Sequence, residues 1–210
     1  MNKSKFNLRS IVLVSMFLAI AIALDVVTGM IPGLNLSMPL GGRIFNVSLL
    51  PIILIGILIG PFYGLSGAII YGVFGFFYDG YALAYFSQDL FQATLVFMLD
   101  YVVAFGALGL SGFFKRSLNK PYYLIITISV VLLIRFVSST IVGAILWVGY
   151  ASGSSWTENL LTNVGNNALI YSGIYNIIYT LTTLVTLSII SVLMFKQLKG
   201  LKEQYNSLFN

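Results

Sequence analysis

The chain has 210 residues, of which 59% are hydrophobic and only 8% are charged, with a mean hydropathy of +0.97. A water-soluble domain carries roughly 25% charged residues, so this chain has too little charge to cover a water-facing surface. It is therefore predicted to be a membrane protein. Cysteine and histidine are absent, which argues against a disulfide framework, a hydrolase and a metalloenzyme.

Six apolar runs follow one another along the chain. A helix needs about 20 mainly apolar residues to cross a bilayer. The runs are about 9–31, 46–59, 62–78, 90–111, 122–149 and 168–195. The second is short and ends at Gly60-Pro61. This pattern predicts an all-α membrane protein with six transmembrane helices in one bundle, forming a single domain over 1–210.

The charged loops predict how this bundle is oriented. Nine of the eleven basic residues fall in the N-terminal segment, the loop after the fourth run and the C-terminal tail, namely Lys3, Lys5, Arg9, Lys115, Arg116, Lys120, Lys196, Lys199 and Lys202. The segments at the other end carry Asp79, Asp89 and Glu158, with Arg43 as their basic residue. Basic loops stay in the cytoplasm. Both termini are therefore predicted to be cytoplasmic.

Charged residues inside apolar runs are costly in a membrane and are functional candidates. Asp100 and Arg135 lie deepest, and Asp25 lies towards the end of the first run. Two compatible interpretations apply to the deepest charges. They form a structural ion pair between two spans, or Asp100 faces a cavity and holds a cationic or amine-bearing ligand. Arg43 is interpreted as a solvated or headgroup-contacting residue of a loop.

Aromatic and amide side chains cluster near the ends of the last two runs. Trp147 lies near the end of the fifth run, and the sixth run carries Tyr171, Tyr175, Asn176 and Tyr179. Their spacing places the residues of the sixth run on one side of a helix. An interfacial aromatic belt explains some of the 13 tyrosines. It does not explain Asn176, whose amide would be unsatisfied in lipid. The cluster therefore predicts a small-molecule site.

Small residues recur every four positions in the first run, at Ser15, Ala19 and Ala23. Such a stripe lets another helix approach closely. Two interpretations stay open at this point. The stripe packs within the bundle, or it is the docking face for a partner protein.

Short motifs in the last three runs share the pattern of a known family. The fourth run reads Asp100-Tyr101-Val102-Val103-Ala104-Phe105. The fifth reads Arg135-Phe136-Val137-Ser138-Ser139, followed by Gly143 and Trp147. The sixth reads Tyr171-Ser172-Gly173-Ile174-Tyr175-Asn176. With the segment 47–67, these motifs resemble the substrate-binding (S) components of energy-coupling factor (ECF) vitamin transporters, most closely the thiamine-specific subunit. The resemblance covers nearly the whole chain.

The resemblance implies roles for the matching residues. The acid at the position of Asp100 contacts the aminopyrimidine of thiamine in that family, and a tyrosine follows it, as Tyr101 does here. Trp147 matches the tryptophan that stacks on the ligand. Tyr171 and Asn176 match the tyrosine and the asparagine that contact it.

Ser139 departs from the family pattern, because a ligand-contacting histidine stands at its position in the family. A serine leaves room for a differently substituted ring or for a water molecule. Val102 replaces the usual proline, and the loop between Trp147 and Tyr171 looks longer than the family's. Thiamine is the favoured ligand. A thiamine precursor or other pyrimidine, riboflavin and folate stay open as alternatives.

The resemblance also implies a location, as a multi-pass protein of a prokaryotic plasma membrane, and a mechanism. An S component binds its vitamin beneath an outer lid, here 35–43, and joins a transmembrane coupling protein and two ATPase subunits. It then topples in the membrane and releases the vitamin inside. Ser15 and Ala19 hold the place of the family's docking motif, and Ala23 extends the stripe.

The chain carries no nucleotide-binding motif of its own, so ATP hydrolysis would belong to the partners. The chain is expected to be a transporter subunit rather than an enzyme, with no cofactor and no nucleic-acid partner. A solitary ion-coupled carrier using Asp100 and Arg135 in a proton relay stays as an alternative. An intramembrane enzyme is disfavoured, because paired carboxylates, histidine and cysteine are lacking.

Overall fold

The computed structural model describes residues 7–31 and 36–209, which are mostly helical. Lys3, Lys5 and the first residue of the predicted lid, Asn35, lie outside the described residues. The helices in chain order are α1 (Leu8–Met30), α2 (Leu49–Ile59), α3 (Pro61–Asp79), α4 (Tyr81–Phe86), α5 (Leu90–Val96), α6 (Ala104–Gly109), α7 (Pro121–Ile145), α8 (Ser155–Asn163), α9 (Ala168–Leu193) and α10 (Phe195–Phe209).

Shorter elements connect these helices. A π-helical segment, Phe97–Val103, joins α5 to α6, and a 3₁₀ turn, Leu110–Phe113, continues α6. A small hairpin follows α1: strand β1 (Leu36–Ser37) pairs antiparallel with strand β2 (Arg43–Ile44) across the turn Pro39–Gly41.

Five stretches of the described chain are long and apolar enough to cross a membrane: α1, α3, Leu90–Phe113, α7 and α9. The remaining predicted span, the second run at 46–59, contains the shorter apolar helix α2. The 11 residues of α2 extend about 16 Å at 1.5 Å per residue, against a hydrocarbon core of about 30 Å. Ten of its residues are buried, as expected for a helix that is apolar on every side. The predicted all-α membrane bundle is confirmed, with α2 as an internal helix.

The fifth run ends earlier than predicted. α7 stops at Ile145, and Trp147 begins a 3₁₀ segment, Trp147–Gly153, instead of continuing the helix to residue 149. Glycine and serine in this stretch favour the end of a helix. The polar stretch that follows is not simply a loop, because it contains α8, whose N-terminus the Ser154 hydroxyl caps by accepting from the Trp156 amide.

Close helix crossings position the segments that line the site. α7 and α9 form the most extensive helix pair, and α3 packs against α6. A Cβ atom added at Gly109 of α6 would lie 2.4 Å from the Gly64 backbone of α3. A Cβ atom added at Gly143 of α7 would lie 2.2 Å from the Ser172 hydroxyl of α9. A side chain at Gly109 would therefore clash with backbone, whereas a side chain at Gly143 would have to displace the Ser172 hydroxyl.

The bundle has two chemically different ends. The basic end carries Lys115, Arg116, Lys120 and the C-terminal helix α10. Lys202 of α10 donates to the Leu58 carbonyl near the end of α2, 2.6 Å away, and burial lowers the pKa of Lys202. The opposite end, called here the cavity end, carries the hairpin, α4, the 3₁₀ segment and α8.

Candidate ligand-binding site

A cavity opens at the cavity end, between α1, the hairpin, α3, the π-helical segment, α7 and α9. The space between its walls, counting the open mouth, is about 1050 Å³. All six residues predicted from the sequence to bind the ligand line this one cavity: Asp100, Tyr101, Ser139, Trp147, Tyr171 and Asn176. The fold therefore brings together motifs from three separate helical segments.

Asp100 lies within the π-helical segment and is held from two sides. The Ser139 hydroxyl donates to Oδ1 at 2.7 Å, and the Trp147 indole donates from Nε1 to Oδ2 at 3.1 Å. A π-helical turn is a local irregularity that is frequent at functional sites. Each carboxylate oxygen can accept a second hydrogen bond. Asp100 is thus oriented by the protein and still able to accept from a ligand.

Arg135 is not the ion-pair partner of Asp100 that one interpretation of the sequence expected. The ion pairs found among the described residues join Arg43 to Asp25 and Asp79. The Arg135 guanidinium carbon lies 4.2 Å from the ring centroid of Phe105. Its Nε and Nη1 atoms are buried without an acceptor among the described residues.

Trp147 forms a fixed aromatic wall of the cavity. The residue is 8% exposed. Its ring meets those of Tyr85 and Phe86 edge-on, with centroids 5.8 and 4.9 Å away. The bond from its indole nitrogen to Asp100 fixes the ring further. The wall is therefore pre-formed for stacking against a flat ligand. Tyr101 lines the cavity as well, with its ring 6.1 Å from that of Phe105 in a stacked arrangement.

α9 contributes Tyr171 and Asn176 on its cavity face. The Asn167 side chain caps the start of this helix by accepting from the amides of residues 169 and 170. The Asn176 amide nitrogen donates to the Ser172 carbonyl at 2.8 Å, and its oxygen accepts from the Tyr179 hydroxyl. The Tyr171 hydroxyl is buried and meets no hydrogen-bond partner among the described residues. Tyr171 is therefore the freer of the two to contact a ligand.

A charged network that the sequence interpretation missed closes another side of the cavity. The Arg43 Nη1 atom lies 2.8 Å from Asp25 Oδ1, and Arg43 also pairs with Asp79. Asp25 further accepts from the hydroxyls of Ser48, at 2.7 Å, and Tyr71. Arg43 was expected to be solvated or to contact lipid headgroups, and this expectation is wrong, because Arg43 pairs with two carboxylates of the bundle. The sequence did contain a signal for this network, because charges of opposite sign flank the first three apolar runs. Asp25 lies near the end of the first run, Arg43 lies before the second, and Asp79 follows the third.

Arg43 stays charged in this network. Burial by itself lowers the pKa of Arg43, but the carboxylates of Asp79 and Asp25 outweigh burial and raise the pKa above its usual value. Since β2 carries Arg43, the ion pairs tie the hairpin to α1 and α3. Tyr175 ties it to α9, because its hydroxyl accepts from the Gly42 amide at 3.1 Å and donates to the Pro39 carbonyl.

The small-residue stripe of α1 faces away from the bundle. Ser15, Ala19 and Ala23 are exposed, whereas Val14 and Ala21 are buried on the opposite side. The Ser15 hydroxyl donates to the Ile11 carbonyl of its own helix at 3.0 Å. Packing within the bundle, one of the two interpretations of the stripe, is therefore not what the structure contains.

Comparisons with known proteins agree with this arrangement. The thiamine transporter ThiT of Bacillus subtilis (strain 168) is 29% identical over 197 residues, which are 93% of this chain and 94% of that protein. The solved structure of ThiT from Listeria monocytogenes has the same fold, with a TM-score of 0.67 at 19% identity, over 93% of this chain and 97% of that one.

The family match covers almost the whole sequence. Residues 11–203 match the family described as Thiamine transporter protein (Thia_YuaJ), which confirms the resemblance stated from the motifs. Together with the long apolar helices, this makes the chain a multi-pass cell-membrane protein. The chain belongs to the Thia_YuaJ thiamine transporter family.

Proposed function

We propose that this chain captures thiamine in the cavity lined by Asp100 and Trp147, as the substrate-binding subunit of an importer. The observation that carries the proposal is the half-buried carboxylate of Asp100, which lines the cavity and is bonded to the indole of Trp147. Thiamine combines a flat aminopyrimidine with a positive thiazolium. A carboxylate accepts from the amine and attracts the cation, and the tryptophan face suits either ring.

Roles for the other lining residues follow from their contacts. Ser139 orients Asp100, while Tyr171 offers the ligand a hydroxyl that has no hydrogen-bond partner in the part of the chain that the structure describes. Asn176 and Tyr101 complete the pocket wall. The hairpin over residues 36–44 serves as the lid, and Arg43 fastens it in the closed state.

We further propose that uptake requires a transmembrane coupling protein and two ATPase subunits. The exposed stripe of Ser15, Ala19 and Ala23 is the docking face for the coupling protein. The basic end faces the cytoplasm, where ATPase subunits work, and the cavity end receives ligand from outside. In this scheme all 210 residues act as one domain. The chain binds and carries the ligand, and the ATPase subunits catalyse ATP hydrolysis.

A tryptophan-fluorescence titration tests ligand capture. The chain has two tryptophans, so a Trp156→Phe background leaves Trp147 as the reporter. We expect thiamine to quench the purified protein saturably and riboflavin and folate to leave it unchanged. Quenching by one of those vitamins instead would move the ligand assignment to that vitamin.

Reconstitution tests the need for partners. Liposomes containing this chain alone should not accumulate radiolabelled thiamine. Liposomes that also contain a coupling protein and ATPases should accumulate it when ATP is supplied on the side of the membrane where the ATPases lie. Accumulation by this chain alone, driven by an ion gradient, would replace the proposal with the solitary-carrier alternative.

A further inference from the structure

The guanidinium group of Arg135 lies inside the bundle and is not fully hydrogen-bonded among the described residues. Its Nε and Nη1 atoms are buried without an acceptor among the described residues. The ring of Phe105 covers one face of the guanidinium, but a ring face does not satisfy N–H groups that lie in the guanidinium plane. Buried donors without acceptors are costly, so an acceptor on a ligand would remove this cost.

Arg135 lies on the face of α7 that lines the cavity, and Asp100 lines the same cavity. Arg135, Ser139 and Gly143 follow at spacings of four and therefore share one face of the helix. All three line the cavity, and Ser139 contacts the Asp100 carboxylate directly. Arg135 thus lies one helical turn along the cavity from the bond that orients Asp100.

The charges of the cavity decide which kind of acceptor fits. Three carboxylates, of Asp25, Asp79 and Asp100, and two guanidinium groups, of Arg43 and Arg135, line it, so its formal charge is −1. Arg43 is engaged by two of the carboxylates. The cavity as a whole therefore suits a ligand with one positive charge, and an anionic group on that ligand is not required. The acceptor for Arg135 should be a neutral atom.

We infer that Arg135 donates to a neutral ring nitrogen of the ligand, next to the ring carbon whose amine donates to Asp100. This inference rests on the proposed function and deepens it. A 4-aminopyrimidine presents such an amine and such a nitrogen side by side, as a donor–acceptor edge. A carboxylate and a guanidinium on one cavity face form the complementary acceptor–donor pair. Arg135 would then select aminopyrimidines over rings that lack the adjacent nitrogen.

The test pairs two ligands with three variants by calorimetry on purified protein. The ligands are thiamine and its analogue in which CH replaces the pyrimidine nitrogen next to the amine-bearing carbon. For wild type, we expect the analogue to bind about tenfold more weakly, the usual scale for a hydrogen bond to a charged group. Arg135→Met should weaken thiamine about tenfold or more and change the analogue less than about threefold.

Two further variants keep the test decisive. Arg135→Lys retains the charge but not the planar fork, so thiamine should lose affinity and the preference over the analogue should shrink. Arg116→Met, at the exposed basic end, should bind both ligands like wild type. If Arg135→Met does not fold, wild type and Arg135→Lys with the two ligands give the same comparison.

Equal losses for both ligands, or no loss for thiamine, would overturn the inference alone. Absence of thiamine binding by wild type would overturn the proposed function and the inference together.

Discussion

Asp100 and its two donors set the chemistry at the scale of single residues. A buried carboxylate needs hydrogen bonds to remain tolerable, and Ser139 and Trp147 supply them from α7 and from the segment that follows it. The same bonds fix the carboxylate for a ligand. In this chain a serine does the orienting at the position where related proteins are expected to place a histidine.

Substituting Ser139 measures this orientation. Ser139→Ala removes one hydrogen bond to Asp100, and we expect thiamine affinity to fall about threefold to tenfold, or roughly 1 kcal/mol. Calorimetric titration measures the change. The matched control is Ser138→Ala, because the Ser138 hydroxyl donates to the Leu99 carbonyl and Ser138 is not among the cavity-lining residues. Equal losses in the two variants would contradict a specific role for Ser139.

The residues show which parts of the site were predictable. Asp100, Trp147 and Tyr171 were found because charge and aromaticity are conspicuous in apolar runs. The contact between Ser139 and Asp100 joins α7 to the π-helical segment. The ion pair between Arg43 and Asp25 joins the hairpin to α1. Such pairings depend on how helices pack, which hydrophobic pattern alone does not specify.

At the scale of elements, the crossing of α7 and α9 holds together two helices that line the cavity. Gly143 lies where α7 meets Ser172 of α9, and the Ser172 hydroxyl donates to the Thr140 carbonyl at 2.8 Å. Both helices present cavity residues within one turn of this contact. The geometry of the pocket therefore depends on this crossing.

Gly143→Ala should separate the two helices. The added methyl would sit 2.2 Å from the Ser172 hydroxyl, and overpacking of this kind costs about 1–3 kcal/mol. We expect a lower melting temperature in detergent and weaker thiamine binding. Gly173→Ala is the control, because a Cβ atom there meets nothing within 4 Å. A Gly143→Ala variant as stable as wild type would show that the crossing can relax.

The exposed stripe of α1 leads to a prediction about assembly. Ala19→Trp places a large ring on the smooth face, so a close helix contact with a coupling protein should be blocked. We expect reconstituted transport to fall at least about tenfold while calorimetric thiamine binding is unchanged. Leu181→Trp, on the exposed face of α9, should leave both unchanged. Loss of binding in Ala19→Trp would point instead to a structural defect.

The elements also show where sequence reasoning lost accuracy. The apolar runs located the helices, but the end of α7 was placed beyond Ile145, because Trp147 and Val148 are apolar whether or not they are helical. That α2 is buried on all sides was not anticipated, because composition does not distinguish a buried helix from one that faces lipid. α8 was missed because its polar residues resemble those of a loop.

At the scale of the whole molecule, the two ends of the bundle differ in charge, and this difference predicts a direction of transport. The basic end should be cytoplasmic, which leaves the cavity accessible from outside. The chain has no cysteine, so single cysteines report orientation cleanly.

Ser152→Cys and Asn119→Cys place thiols on exposed residues of the cavity end and the basic end. A membrane-impermeant maleimide should label Ser152→Cys on intact cells. The same reagent should label Asn119→Cys only after the cells are permeabilised. The reverse pattern would mean that the cavity faces the cytoplasm and that the proposed direction is wrong.

The most direct test of the account is a calorimetric titration of thiamine into the purified wild-type protein and into Asp100→Asn. The account predicts one thiamine per chain for wild type. Loss of the carboxylate charge should weaken binding by at least about thirtyfold in the variant, corresponding to roughly 2 kcal/mol. Wild type that does not bind thiamine, or Asp100→Asn that binds it as tightly as wild type, would contradict the account.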